Sequence, residues 1–311
     1  MELHEKEMRQ VYAETLIEIA GTDPRLVVME ADLSKASGTT PFAKAYPERF
    51  IDVGVAEANM MGVAAGLAAV GKVPFTATFS CFATRRCYDQ ISISIAYAKR
   101  NVKIVGTSPG VTATMNGGTH MCFQDLAIMR AMPNMTVLSP ADAYELRSML
   151  KWMAATEGPM YLQLLRMKEP KVFGPDYVYR HGQAVQLRTG DRATLVTTGF
   201  TAKLAVAAAD ELAAHGISVD LLHCPSVKPL DLDAIEVSAR KTGYVVTIEN
   251  QNILGGLGGA VCEGLAERFP VRVKRLGVPD SFGEVATEEY LLDKHRFNVS
   301  HIVAAVRECK K

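Results

Sequence analysis

The sequence predicts an α/β protein of two domains, each a mostly parallel sheet covered by helices. With 311 residues the chain has room for two domains of roughly 100–200 residues each. In both halves β-like apolar runs alternate with helical patterns, the rhythm of parallel strands joined by helical crossovers. Between the halves the pattern dissolves into MKEPKVFGPDYVYRHGQ, which holds Pro170, Gly174 and Pro175. The expected division is a first domain over 1–170, a linker over 171–190 and a second domain over 191–311.

In the first half, Met8, Val11, Tyr12, Leu16 and Ile19 recur at helical spacing. LVVME (Leu26–Glu30) reads as a buried strand. Further strands are expected at Phe50–Val53, Val73–Thr78, Val102–Gly106, Thr136–Leu138 and Tyr161–Leu165. Helices fill the gaps, among them Ala56–Val70 and a longer one from Phe82 to about Lys99. Ser139, Pro140 and Asp142 announce another helix start. The second half restarts with a strand at Ala193–Thr198, a helix to His215 and a strand at Ser218–Leu222. Pro225–Asp231 turns the chain into a helix, and Tyr244–Glu249 reads as a buried strand. The run Gly255-Gly256-Leu257-Gly258-Gly259 opens the next helix. It fails the GxGxxG spacing because position 261 is Val, so a turn that lets the helix pack closely is the better reading.

Composition excludes several classes. Hydrophobic residues make up 48% and charged residues 22%, an ordinary globular balance. Lys+Arg and Asp+Glu both total 34, so no basic field exists to attract nucleic acid or an anionic membrane. The six cysteines form no CxxC pair and read as buried thiols of a reducing compartment. MELHEKEMRQ lacks a signal-peptide core, and the apolar stretch Met60–Val70 is too short to span a bilayer at about 20 residues, so a cytoplasmic protein is expected.

Three patches of the first half carry chemistry. RFIDVGVAEANMMGVAAGLAAVG runs strand, tight turn, then a helix of small residues, with Glu57 among Val55, Ala56 and Ala58. A carboxylate in such company pairs, caps the helix or works. In TATFSCFATRRCYDQI, Phe79 and Phe82 straddle a strand-to-helix corner, with Arg85 just beyond; two such aromatics serve either a core or a site. GVTATMNGGTHMCFQDLA is a glycine-bearing loop containing His120, the kind of connection in which sites concentrate.

In this order the three patches resemble the pyrimidine-binding domain of the transketolase family. The resemblance continues through DLAIMRAMPNMTVLSPAD and GPMYLQLLR, then VKPLD and ENQNILGGLGGAV, which are similar to the family's C-terminal domain. It implies that Glu57 hydrogen-bonds the pyrimidine of thiamine diphosphate and promotes the proton shift that activates the cofactor. It implies that Phe79 and Phe82 enclose the pyrimidine and that Arg85 edges the pocket. His120 is implied to contact oxygens of the bound sugar, and Arg9 and Arg166 to hold its phosphate. Ser34 or Ser37, in ADLSKAS, reaches toward the same phosphate.

Departures accompany the match. Asn116 stands where many members carry an acidic residue and Ser108 where many carry a histidine, both on the sugar's path. Gln251 replaces a frequent histidine. No GDG motif is present to hold the Mg²⁺ (or Ca²⁺) of the cofactor's diphosphate. The resemblance begins almost at residue 1, so no metal site is expected in this chain. A transketolase N-terminal (diphosphate-domain) subunit is expected to supply it, in an α2β2 assembly that moves a two-carbon ketol unit between sugar phosphates. The alternatives are the E1 β subunit of a 2-oxoacid dehydrogenase, a 1-deoxyxylulose-5-phosphate synthase-like enzyme, or a regulatory or scaffolding homologue without catalysis.

Overall fold

A computed structural model of the protein describes residues 1–309. These divide into two compact units. The first comprises Met1–Pro109 and Ile128–Tyr179; the second comprises Gly110–Ala127 and the residues from Arg180 onward. The loop that holds His120 therefore packs with the later part of the chain, although it lies within the span 1–170.

Six strands of the first unit are β1 (Leu26–Glu30), β2 (Phe50–Asp52), β3 (Val73–Phe79), β4 (Lys103–Thr107), β5 (Thr136–Leu138) and β6 (Met160–Leu164). They lie side by side in the order β5-β6-β4-β3-β1-β2, every pair parallel. Strands β1, β3, β4 and β6 are buried along their whole length, as expected for a sheet covered on both faces. Lys103, at the start of β4, is fully buried and donates from Nζ to the carbonyls of Thr156 and Gly158 at 2.7 and 3.0 Å. Desolvation pulls its pKa down to about 7.

The helix Glu57–Ala69 matches the expected element closely, whereas the long helix expected from Phe82 does not form as one piece. A short helix, Ser80–Ala83, ends at Thr84, whose φ −116° and ψ −84° leave the helical region. A 3₁₀ turn at Arg85–Cys87, one α turn at Tyr88–Gln90 and a π-helix at Ile91–Tyr97 follow. Apolar spacing alone does not distinguish these helix types, and π segments recur where a helix is deformed near a functional site.

The second unit contains β7 (Val185–Arg188), β8 (Thr194–Thr197), β9 (Asp220–His223), β10 (Ser226–Lys228), β11 (Tyr244–Asn252) and β12 (Arg272–Val278). Five of them form a sheet in the order β12-β11-β8-β9-β7, with only β7 antiparallel to its neighbour. Strand β7 lies inside the span read as linker, and its alternating, half-exposed pattern is that of an edge. Val196, Leu222, Ile235, Val245, Leu257 and Val261 pack together as this unit's core. The glycine run before the helix Leu257–Arg268 encloses the buried carboxylate of Glu249, which accepts from the amides of Leu257 and Gly258 at 2.8 Å each. A Cβ on Gly256 would stand 1.9 Å from Glu249 Oε2, so this turn requires glycine. Glu249 thus satisfies the helix N-terminus from within the chain.

All six cysteines are free, and only Cys262 is not fully buried. Among the described residues no helix is long and apolar enough to cross a membrane.

Candidate active site

In the first unit the singled-out side chains gather at the carboxyl ends of the parallel strands, where open α/β sheets bind ligands. Ser34 follows β1, Glu57 follows β2, Phe79 ends β3 with Phe82 close behind, Ser108 follows β4 and Arg166 follows β6. Sequence reasoning treated these as separate local patches. The parallel sheet is what brings their segments to one edge.

Glu57 is the first residue of its helix and is only 3% exposed. The turn before it depends on Gly54 at φ +73°, whose carbonyl accepts from Ala56 N at 2.7 Å. No side chain caps this helix, so the carboxylate itself sits where the macrodipole favours negative charge. Arg86 Nη1 donates to Glu57 Oε1 at 2.8 Å. The same guanidinium lies over the ring of Phe82, 3.9 Å from its centroid. Phe82 meets Phe79 edge to face at 6.0 Å. Arg85 occupies the same 3₁₀ turn, but the side chain that joins Glu57 to Phe82 is that of Arg86.

A second cluster lies beside Phe79. The Arg166 guanidinium is 5.8 Å from the Phe79 centroid, and its buried Nε has no hydrogen-bond partner. Burial and then the neighbouring Arg9 cation pull the Arg166 pKa below its ordinary value. Two arginines close enough to repel, one with an unused donor, form a place that an anion would stabilise. Arg9 is held by Glu7 at 2.7 Å and donates from Nη1 to the carbonyls of Lys35 and Ala36 at 3.3 Å each. It thereby fixes the segment Ser34–Ser37. The carbonyl of Ser34 accepts the amides of Gly38 and Thr39, and Gly38 takes φ +86° with its Cβ position 2.7 Å from Arg9 O. Only glycine fits there.

Beneath that segment lies Glu30, a residue that sequence reasoning took merely as the end of a strand. Thr39 Oγ1 donates to it at 2.6 Å and Ser37 Oγ at 3.4 Å. Desolvation raises its pKa to about 8. A glutamate closing an otherwise apolar strand was the available signal. Ser108, on the expected sugar path, is buried at φ +52° with an unpartnered Oγ. A non-glycine residue in this conformation stores backbone strain, as residues at sites often do.

Asn116 and His120 belong to the second unit, on the segment Gly110–Ala127. Asn250 Oδ1 accepts from Val111 N at 2.9 Å, and Phe123 O accepts from Asn252 N at 2.8 Å. Close approaches of Gly110 to Asn250 and of Gly118 to Gly283 leave no room for a Cβ at either position. His120 is half-exposed with Nδ1 2.8 Å from Thr119 Oγ1, and Asn116 is exposed. The loop is thus pinned at both ends while its polar tip remains open.

A carboxylate at a helix start thus lies beside aromatics and an arginine at the carboxyl ends of a parallel sheet. Comparison with known proteins gives the family. The description "Transketolase, pyrimidine binding domain" matches residues 4–170, and "Transketolase, C-terminal domain" matches residues 182–302. The chain belongs to the transketolase family. It is 46% identical over 308 residues to the "6-deoxy-6-sulfo-D-fructose transketolase subunit SqwH" of Clostridium sp. (strain MSTE9), covering 99% of this chain and 96% of that protein. It is 38% identical to a "Putative transketolase C-terminal section" of Methanocaldococcus jannaschii, covering 97% of this chain and 96% of that one. A solved structure described as "Split gene transketolase, inactive beta4 tetramer" superposes with a TM-score of 0.91 at 44% identity, covering 97% of this chain and 98% of that one.

Proposed function

We propose that this chain is the β-type half of a split, thiamine-diphosphate-dependent transketolase and transfers a two-carbon ketol unit only with a partner subunit. The observation that carries the reading is Glu57, buried at a helix start beside the Phe79–Phe82 pair. The pocket suits the cofactor: Glu57 Oε2 has no hydrogen-bond partner among the described residues, leaving one acceptor for a ring nitrogen while Arg86 holds the other oxygen. Thiamine diphosphate, when bound, supplies the carbanion chemistry of ketol transfer. The chain's own residues orient and desolvate. Glu57 accepts at the pyrimidine, Phe79 and Phe82 offer it aromatic faces, and Arg86 fixes the carboxylate's rotamer by bonding and ring contact.

Arg166 and Arg9 then hold the tetrahedral anion of the sugar, with the Ser34 segment as a wall; in the second unit, His120 and Asn116 are separate candidates for contact with sugar hydroxyls. A phosphate is the first choice of anion. A sulfonate is the second, supported by the name of the 46%-identical relative and by Asn116 and Ser108. The partner is a chain carrying the diphosphate and metal site, in an α2β2 assembly. The helix Glu57–Ala69 supports a partner, being apolar on its outer side as well: Gly62 and Gly66 are exposed, and Val55, Val70, Ile93 and Tyr97 nearby are 59–81% exposed.

Mixing the purified chain with a GDG-bearing diphosphate-domain subunit tests the proposal. Ketol transfer is expected from the mixture and from neither chain alone; activity of the isolated chain would overturn the split arrangement. Running 6-phospho and 6-sulfo ketoses in parallel decides the anion.

A further inference from the structure

The second unit carries a half-open pocket of about 330 Å³ to which neither the sequence motifs nor the ketol-transfer reading assigns a role. It lies against β12, the residue Ile253 that follows β11, and the helices Glu288–Lys294 and Val299–Arg307. Its lining carries Lys274, Arg275, Lys294 and Arg296 against a single carboxylate, Glu308. The whole chain has formal net charge zero, so this local excess is not one face of a generally basic protein. Two of the cations are already matched: Lys274 Nζ lies 3.4 Å from Glu308 Oε2, and Lys294 pairs with Glu284. The two guanidiniums are not. Arg275 donates only to the carbonyl of Ile253, at 2.7 Å, and neither it nor Arg296 has a carboxylate partner among the described residues.

Two histidines complete the lining. His295 is 5% exposed, and its Nε2 is buried with no hydrogen-bond partner. An imidazole nitrogen left unpaired in a buried wall costs free energy unless something supplies the missing bond. His301 has Nδ1 2.7 Å from Asn298 Oδ1, an acceptor, so the proton sits on Nδ1. Two unmatched forks and the unpartnered imidazole of His295 on one pocket form the donor set that recognises a tetrahedral oxyanion, while His301 Nε2, with the ring proton on Nδ1, is left as an acceptor.

The remaining walls narrow the ligand. Ile253, Leu276, Gly277, Pro279 and Ala304 are aliphatic, and no Phe, Tyr or Trp appears among the described lining residues. A purine or pyrimidine would find no Phe, Tyr or Trp face to stack on. The volume lies at the small end of ligand pockets, which run from about 300 to 1,000 Å³. Glu308, at the opposite sign, offers an acceptor for a hydroxyl.

We propose that this pocket binds a small phosphate monoester with an aliphatic, hydroxyl-bearing body, its phosphoryl group held by Arg275, Arg296 and His295. The full chain, without partner or cofactor, is titrated calorimetrically with glycerol 3-phosphate and with inorganic phosphate. Wild type, Arg296→Gln, Arg275→Gln/Arg296→Gln and Arg166→Gln are compared, with thermal unfolding reporting on fold. A saturable binding event that survives Arg166→Gln is expected, tighter for the ester than for free phosphate. Arg296→Gln, at an exposed position, is expected to weaken it about tenfold at unchanged melting temperature, as loss of a charge-assisted contact does. Arg166→Gln is expected to leave it intact. Absence of saturable binding, indifference to Arg296→Gln, or loss on Arg166→Gln alone would overturn the site. Equal affinity for ester and free phosphate would overturn the hydroxyl-bearing body.

Discussion

Glu30 and Glu57 are two buried glutamates on one sheet edge, and their neighbours set them apart. Glu57 meets a cation, Arg86, at 2.8 Å. Glu30 has hydroxyl and backbone amide donors but no such cation, and burial raises its pKa from 4.5 to about 8. A carboxyl whose folded-state pKa lies above its unfolded value favours folding most when protonated. Its contribution is complete below about 4.5 and is lost as pH climbs through about 8. Chemical denaturation of the isolated chain at pH 5 and pH 8.5 checks this. Glu30→Gln is expected to narrow the stability difference between the two pH values; an unchanged difference would show that Glu30 is not the group responsible. Arg86 illustrates what remained hidden at this scale. Glu57, Phe79 and Phe82 could be singled out because each sits in a distinctive local pattern. No local pattern singles out Arg86 as the side chain that meets both Glu57 and Phe82.

Among the elements, the strongly apolar strands were legible to within a residue or two, and Thr136–Leu138 coincides with its expected bounds. Strands β7, β10 and β12 are not among the expected elements. VQLR is a short edge, and RVKRLGV interleaves arginine and lysine with its apolar residues, so neither shows the continuous run that marks a central strand. Beyond Asn59 the helix Glu57–Ala69 is apolar on all sides, unlike a surface helix of a monomer. Gly66 faces outward with nothing within 4 Å of a would-be Cβ. A substitution there meets no steric resistance within the chain and removes glycine's helix penalty of roughly 0.5–1 kcal/mol. Gly66→Glu is therefore expected to keep or slightly raise the melting temperature of the isolated chain while abolishing association with the diphosphate-domain subunit. Sedimentation of the mixture reads both, and undiminished association would remove this helix from the interface.

For the molecule as a whole, the parallel character of both sheets followed from the alternation of strands and helices. The strand order did not, because order is set by which crossovers pack and leaves no local trace. Nor could the sequence reveal that the His120 loop packs with the second unit, an attachment made by close glycine approaches and by Asn250. The order of strands is what converts scattered patches into one site: every catalytic candidate in the first unit follows the carboxyl end of a parallel strand. Under the proposed function Glu57 works on the cofactor rather than merely starting a helix. Steady-state turnover of the reconstituted enzyme carrying Glu57→Gln tests it most directly, with assembly verified by sedimentation. Loss of a proton-handling group predicts a fall in kcat of about 100-fold or more in a complex that still assembles; turnover equal to wild type would contradict the account.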